Sequence, residues 1–82
     1  SEVQALEVLG KADAKLKAKQ EELKAASDAV AAYNGTIPAE RANLELIRDT
    51  NLREMQDEEK RYQIAKDLSD NLTIGYNTSE VI

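Results

Sequence analysis

The sequence predicts an all-α fold: a long antiparallel two-helix hairpin of the coiled-coil type, either self-associating into a bundle or excised from a longer helical protein. Alanine, glutamate, lysine and leucine dominate its 82 residues, a composition typical of long helices and coiled coils. Leucine or valine recurs every seven residues in the first half of the chain. A glycine and the single proline lie close together near the middle, where the chain would reverse.

The first helix is predicted over residues 1–34. Leu9, Leu16, Leu23 and Val30 are seven residues apart, which places them on one stripe of a supercoiled helix. A second row, interrupted by Lys19, consists of Ala5, Ala12, Ala26 and Tyr33. Alanine in that row would allow a partner helix to approach closely.

A tight turn is predicted at residues 35–37, and the second helix at 38–72. Asn34 and Gly35 tolerate left-handed backbone at the end of a helix. Thr36 is a candidate N-cap, and Pro38 suits the first turn of the next helix because its missing N–H would be unpaired there anyway.

Folding the chain back about Asn34 and Gly35 pairs apolar residues of the two helices, such as Leu9 with Tyr62 and Leu16 with Met55. The same alignment places Lys15 and Lys17 opposite Glu54 and Asp57. The predicted hairpin seam consists of Leu9, Leu16, Leu23, Val30, Leu44, Ile47, Met55, Tyr62 and Leu68.

Residues 73–82 are predicted to be a tail that leads into a further helix of the parent protein. Gly75 has the character of a helix stop. Asn77, followed three residues later by Glu80, resembles a capping box at the start of another helix.

Two surfaces are candidates for binding a partner. Leu46, Leu52 and Ile64 lie off the main seam and are predicted to form a second apolar interface. The exposed turn could also contact a partner through Asn34, Gly35, Thr36, Ile37 and Pro38.

The composition argues against several other functions. Without histidine or cysteine, the usual catalytic triads and zinc sites cannot be built, so we expect no enzyme activity, metal or cofactor. A net charge of −5 argues against nucleic acid as the main partner. No stretch reaches the roughly 18 apolar residues that a membrane helix needs, so we expect no membrane insertion.

Three asparagines begin N-x-[ST] triplets, the acceptor pattern for N-glycosylation: Asn34, Asn71 and Asn77. The favoured interpretation is turn and capping chemistry, because asparagine, glycine, serine and threonine gather at such positions for backbone reasons. Glycosylation is the alternative.

The favoured function is a non-enzymatic coiled-coil segment of a larger protein that spaces, assembles or docks proteins, with a protein or a second copy of itself as partner. The alternative is a regulatory hairpin that transmits movement between flanking domains. Lys19, Asn51 and Glu58 lie at or beside core positions, so the seam would be weak enough to slide.

Overall fold

Two helices form the structure, which is a computed structural model describing the backbone of residues 1–81 and the side chains of residues 1–72. Helix α1 comprises Glu2–Ala32 and helix α2 comprises Pro38–Val81, with residues 33–37 between them. The two helices pack side by side in a rod of 69 × 15 × 13 Å. The predicted all-α helical hairpin is therefore confirmed. We call residues 33–37 the tip and the end that holds Ser1 and Leu72 the open end.

Helix α1 begins with a capping box. The Gln4 backbone N–H donates to the Ser1 hydroxyl at 3.3 Å, and the Ser1 nitrogen donates to the Gln4 side-chain oxygen at 3.1 Å. These two bonds satisfy donors that the first turn of a helix otherwise leaves unpaired. At the other end, Tyr33 adopts extended backbone (φ −67°, ψ 121°) and stops α1.

Helix α2 is longer than predicted. It continues to Val81, so its predicted end at residue 72 is wrong, and so is the tail assigned to residues 73–82 as far as residue 81. Gly75 lies inside the helix because one glycine costs a helix only about 1 kcal/mol and does not by itself end it. Asn77 also lies inside α2, so no further helix begins there, and residue 82 lies outside the described part.

The seam between the helices follows a strict alternation of three and four residues on both sides. Its members are buried or half-buried: Ala5, Leu9, Ala12, Leu16, Lys19, Leu23, Ala26, Val30 and Tyr33 on α1, and Leu44, Arg48, Asn51, Met55, Glu58, Tyr62, Ala65 and Ser69 on α2. This spacing is that of a coiled coil, in which each helix presents one stripe to the other.

Two predicted members of the seam are wrong: Ile47 and Leu68 are 45% and 51% exposed. Arg48 and Ser69 take their places because the three-four spacing, rather than hydrophobicity, decides which residues face the partner helix.

The register of the helices also differs from the predicted one. The Lys19 ammonium lies 2.8 Å from a Glu54 carboxylate oxygen, whereas the prediction placed Lys15 and Lys17 opposite Glu54 and Asp57. Lys17 instead pairs with Asp13 of its own helix at 2.9 Å. The cause lies at the tip, where extended backbone at Tyr33 carries the chain past the end of α1 before α2 begins.

Candidate functional site

A groove between the helices near the open end is lined by a buried acidic side chain, that of Glu58. Glu58 lies in the seam with 8% of its surface exposed. One of its carboxylate oxygens accepts a hydrogen bond from Arg61 at 2.6 Å, and the other is buried without a hydrogen-bond partner. The buried oxygen has no partner, so the carboxylate makes hydrogen bonds through only one of its two oxygens.

The groove beside Glu58 has a volume of about 250 Å³ and an apolar floor with a basic rim. Val8, Ala12 and Ala65 line it together with Glu58, and the cations on its rim are Lys11, Lys15 and Arg61. No ion pair within the described residues involves Lys11 or Lys15, so the rim carries more positive than negative charge. Such a groove can attract acidic side chains of a partner.

A second polar position in the seam is Lys19, whose ammonium bridges the two helices. It lies 2.8 Å from Glu54 on α2 and 3.1 Å from Glu22 on α1. The hydrogen bond to Glu54, followed by that to Glu22, holds the pKa of Lys19 above its ordinary value of 10.5. Among the described residues, this is the ion pair that joins α1 to α2.

The tip is organised by the side chain of Tyr33, which the sequence places in the second row of the seam. Its hydroxyl accepts a hydrogen bond from the Ile37 backbone N–H at 3.2 Å. The same hydroxyl lies 2.9 Å from the Ile37 carbonyl oxygen and 3.1 Å from the Glu40 carboxylate, so its single proton serves one of these acceptors at a time. The Arg41 guanidinium lies 5.9 Å from the ring centroid, within cation–π range.

Two predictions about the backbone of the tip are wrong. No residue in the described part of the chain has a positive φ, so Asn34 and Gly35 do not form a left-handed turn. Thr36 is not the N-cap either, because the Ile37 carbonyl receives the first backbone hydrogen bonds of α2, from Glu40 and Arg41. The Tyr33 hydroxyl accepts from the Ile37 N–H, the contact that the side chain three residues into the helix makes in a capping box.

The tip contact residues predicted from sequence all lie at the surface. Asn34, Gly35, Thr36 and Pro38 are exposed, and the Ile37 side chain is 53% exposed. Tyr33, Gly35, Thr36, Ile37, Pro38 and Arg41 line a hollow of about 360 Å³ there. The hollow is shaped by Tyr33 and Arg41, which the sequence-based set did not include.

The predicted second interface does not form one continuous row. Leu46, Leu52 and Ile64 are exposed by 59%, 37% and 69%. At 1.5 Å per residue, Leu46 and Ile64 are about 27 Å apart along α2, and Leu52 lies about 120° around the helix from both. A single flat partner surface could not contact all three residues.

The three sequons differ in their positions. Asn34 is exposed at the tip, and Asn71 is exposed but lies on helix α2. The side chain of Asn77 lies outside the described residues.

The Tyr33 side chain lies so close to residue 35 that a larger side chain than that of glycine would collide with it. The backbone angles at residue 35 do not themselves require glycine. A Cβ at Gly35 would lie 2.6 Å from the Tyr33 hydroxyl oxygen, whereas one at Gly10 would meet nothing within 4 Å. We expect Gly35→Ala to displace Tyr33 from Ile37 and lower the free energy of unfolding by about 1–2 kcal/mol. Gly10→Ala, the matched control, should raise it by about 1 kcal/mol, since alanine favours a helix interior. Thermal melts of both variants at one protein concentration check this, and a gain of stability in Gly35→Ala would contradict it.

Replacing the buried carboxylate should stabilise the hairpin. We expect Glu58→Leu to raise the free energy of unfolding by about 1–2 kcal/mol, because an apolar side chain removes the cost of burying a half-paired charge. Urea titration followed by circular dichroism measures the change. Glu59→Leu, at the exposed neighbouring position, is the control and should change stability by less than about 0.5 kcal/mol. A Glu58→Leu protein less stable than the wild type would show that the Glu58 contacts are net favourable.

The Lys19 bridge should make stability depend on alkaline pH. Because the folded-state pKa of Lys19 is raised, its contribution is complete below the unfolded pKa and is lost as pH rises through the folded pKa, above about pH 10.5. Lys19→Gln should therefore melt at a lower temperature than the wild type near pH 8, and the difference should disappear near about pH 12. Lys11→Gln, which removes an unpaired lysine of the same helix, should match the wild type at both pH values. A Lys19→Gln deficit that persists at high pH would mean that the alkyl chain, rather than the charge, stabilises the seam.

No metal-binding cluster within the described residues and no similar protein assigns a role to these positions. No group of three or more acidic side chains that could hold a metal ion occurs among the described residues. Neither helix, over the same part of the chain, has a segment long and apolar enough to cross a membrane. Comparison with protein-family models, curated proteins and solved structures found no match for this chain.

Proposed function

We propose that this hairpin is a non-enzymatic protein-interaction element that spaces, assembles or docks proteins, and that a second copy of the hairpin is one of its partners. The seam between two helices can cover only one stripe of each. The remaining surface of each helix is then available for a partner.

The balance of buried and exposed apolar surface carries the proposal. Within residues 1–72, the buried hydrophobic residues are three alanines: Ala5, Ala26 and Ala65. By contrast, ten large apolar side chains are between 37% and 69% exposed: Val3, Leu6, Val8, Ile37, Leu46, Ile47, Leu52, Ile64, Leu68 and Leu72. Burying such side chains against a partner releases the water around them, which is the main driving force for association.

A second candidate function is a regulatory hairpin whose seam slides to transmit movement between flanking domains. The observation that favours it is the polar character of the central seam, where Lys19, Arg48, Asn51 and Glu58 lie. Polar side chains bury less apolar surface than large hydrophobic ones do, so packing holds this part of the seam less strongly and a shift of register would lose less buried apolar area. Cysteine pairs distinguish the two functions. A hairpin of one register crosslinks Lys19→Cys with Glu54→Cys, and a sliding hairpin also crosslinks Lys15→Cys with Glu54→Cys, about one turn away.

The assembly function predicts that the stability of the hairpin depends on its concentration. Because association favours the folded state by mass action, the melting temperature should rise as protein concentration is raised a hundredfold. Sedimentation equilibrium over the same range should show masses above 9.1 kDa, the mass of one chain. A constant melting temperature together with a single 9.1 kDa species would overturn self-association.

A further inference from the structure

We propose that two hairpins pair antiparallel, with their tips at opposite ends, through one specific face built from two heptad rows. We call it the two-row face. Its α1 row is Val8, Lys15, Glu22 and Ala29, and its α2 row is Ile47, Glu54, Arg61 and Leu68. All eight residues are exposed. The inference rests on the proposed assembly function and names the surface and orientation of the self-partner.

Three sets of contacts show that the two rows lie side by side. Val8 and Leu68 line one hollow at the open end. Val8, Lys15 and Arg61 line the groove beside Glu58. Glu22 and Glu54 both bind Lys19, at 3.1 and 2.8 Å, which places the two carboxylates at the same level. Seven-residue spacing then puts Ala29 and Ile47 together at the level nearest the tip.

The two-row face therefore carries four levels from the open end to the tip: apolar, basic, acidic and apolar. At every level both helices contribute the same class of side chain. Rotating the face by 180° about its middle exchanges the basic level with the acidic level and one apolar level with the other. A surface with this property is complementary to its own copy, as a two-fold symmetric interface requires.

In this pairing, Lys15 of one hairpin meets Glu22 of its copy, and Arg61 meets Glu54 of its copy. Val8 and Leu68, which are 52% and 51% exposed, come to lie against the copy's Ala29 and Ile47, of which Ile47 is 45% exposed. Lys11 strengthens the basic level, whereas Lys19 and Glu58 partly neutralise the levels in which they lie. The apolar ends supply the buried area, and the charges select the orientation.

The charge pattern favours a second copy in this orientation over the alternatives. Two hairpins stacked with their tips together would place basic against basic and acidic against acidic, which disfavours that pairing. A uniformly acidic or basic partner would match only one of the two charged levels. The whole chain carries a net charge of −5, so opposed charges at the interface are also needed to offset repulsion between copies.

Charge exchange within one row tests the proposal. Lys15→Glu places two acids opposite each other at both symmetry-related contacts, and Glu22→Lys does the same with two bases. We expect each single variant to raise the dissociation constant of the dimer about tenfold at low salt, measured by sedimentation equilibrium. The double variant Lys15→Glu/Glu22→Lys restores opposite charges across the interface, so its dissociation constant should return to within about threefold of the wild-type value.

The design separates loss of pairing from loss of folding. Lys15 makes no ion pair within the described residues, and Lys19 keeps Glu54 when Glu22 is replaced. Lys24→Glu is the control of equal charge change: its side chain is 81% exposed on the far side of α1, and the ion pair that it loses, with Asp28 at 3.7 Å, is exposed and lies within α1. It should bind its copy as the wild type does. Single variants that associate like the wild type, or a double variant as weak as the singles, would overturn the proposed face.

A cysteine tests the orientation independently, since the chain contains no cysteine of its own. Ala18 flanks the α1 row near the middle of the face, so the two-fold axis would bring Ala18→Cys next to its own copy and permit a disulfide. Gln20→Cys, two residues along and about 200° around α1, should remain reduced under the same oxidation. Equal crosslinking of both variants would overturn the antiparallel arrangement. A wild-type chain that stays monomeric would overturn the assembly function itself, whereas association that ignores these substitutions would overturn only this face.

Discussion

The placement of the two helices against each other depends on the turn that joins them, and the contact of the Tyr33 hydroxyl with the backbone of Ile37 organises that turn. It holds the chain extended beyond the end of α1 and occupies the N–H of the residue from which α2 begins. The position of that start sets the register, and the register decides which residue of α2 faces each residue of α1. The Lys19–Glu54 ion pair follows from that register.

A hairpin of two helices buries one stripe of each helix, and this limits how much of its apolar surface it can hide. The stripe here contains little apolar volume, since within residues 1–72 its buried hydrophobic members are alanines. Alanine lets the helices approach closely, but it removes little apolar area from water. The larger apolar residues are left on other faces, and this is the physical reason for proposing that a partner completes the structure.

The helical content and the reversal of the chain could be predicted because both are local properties. Helix formation depends on residues within a few turns, and a proline beside a glycine marks a break whatever the rest of the chain does. Most of the α1 seam could also be predicted, because Leu9, Leu16, Leu23 and Val30 repeat at the heptad spacing. The α2 seam was harder, because Arg48, Asn51, Glu58 and Ser69 occupy it and a search for apolar residues selects Ile47 and Leu68 instead. Applying the three-four spacing from Leu44 onward would have found these positions.

The sequence by itself determined that the chain is helical, that it reverses close to residues 35–37, and that it has no histidine or cysteine for catalysis. Each of these depends on residue type and near neighbours alone. Only the tertiary structure decided the register, the role of Tyr33 at the tip and the levels at which the charged rows of the two helices meet. Those features depend on the axial position of one helix relative to the other, which the repeat within either helix does not encode.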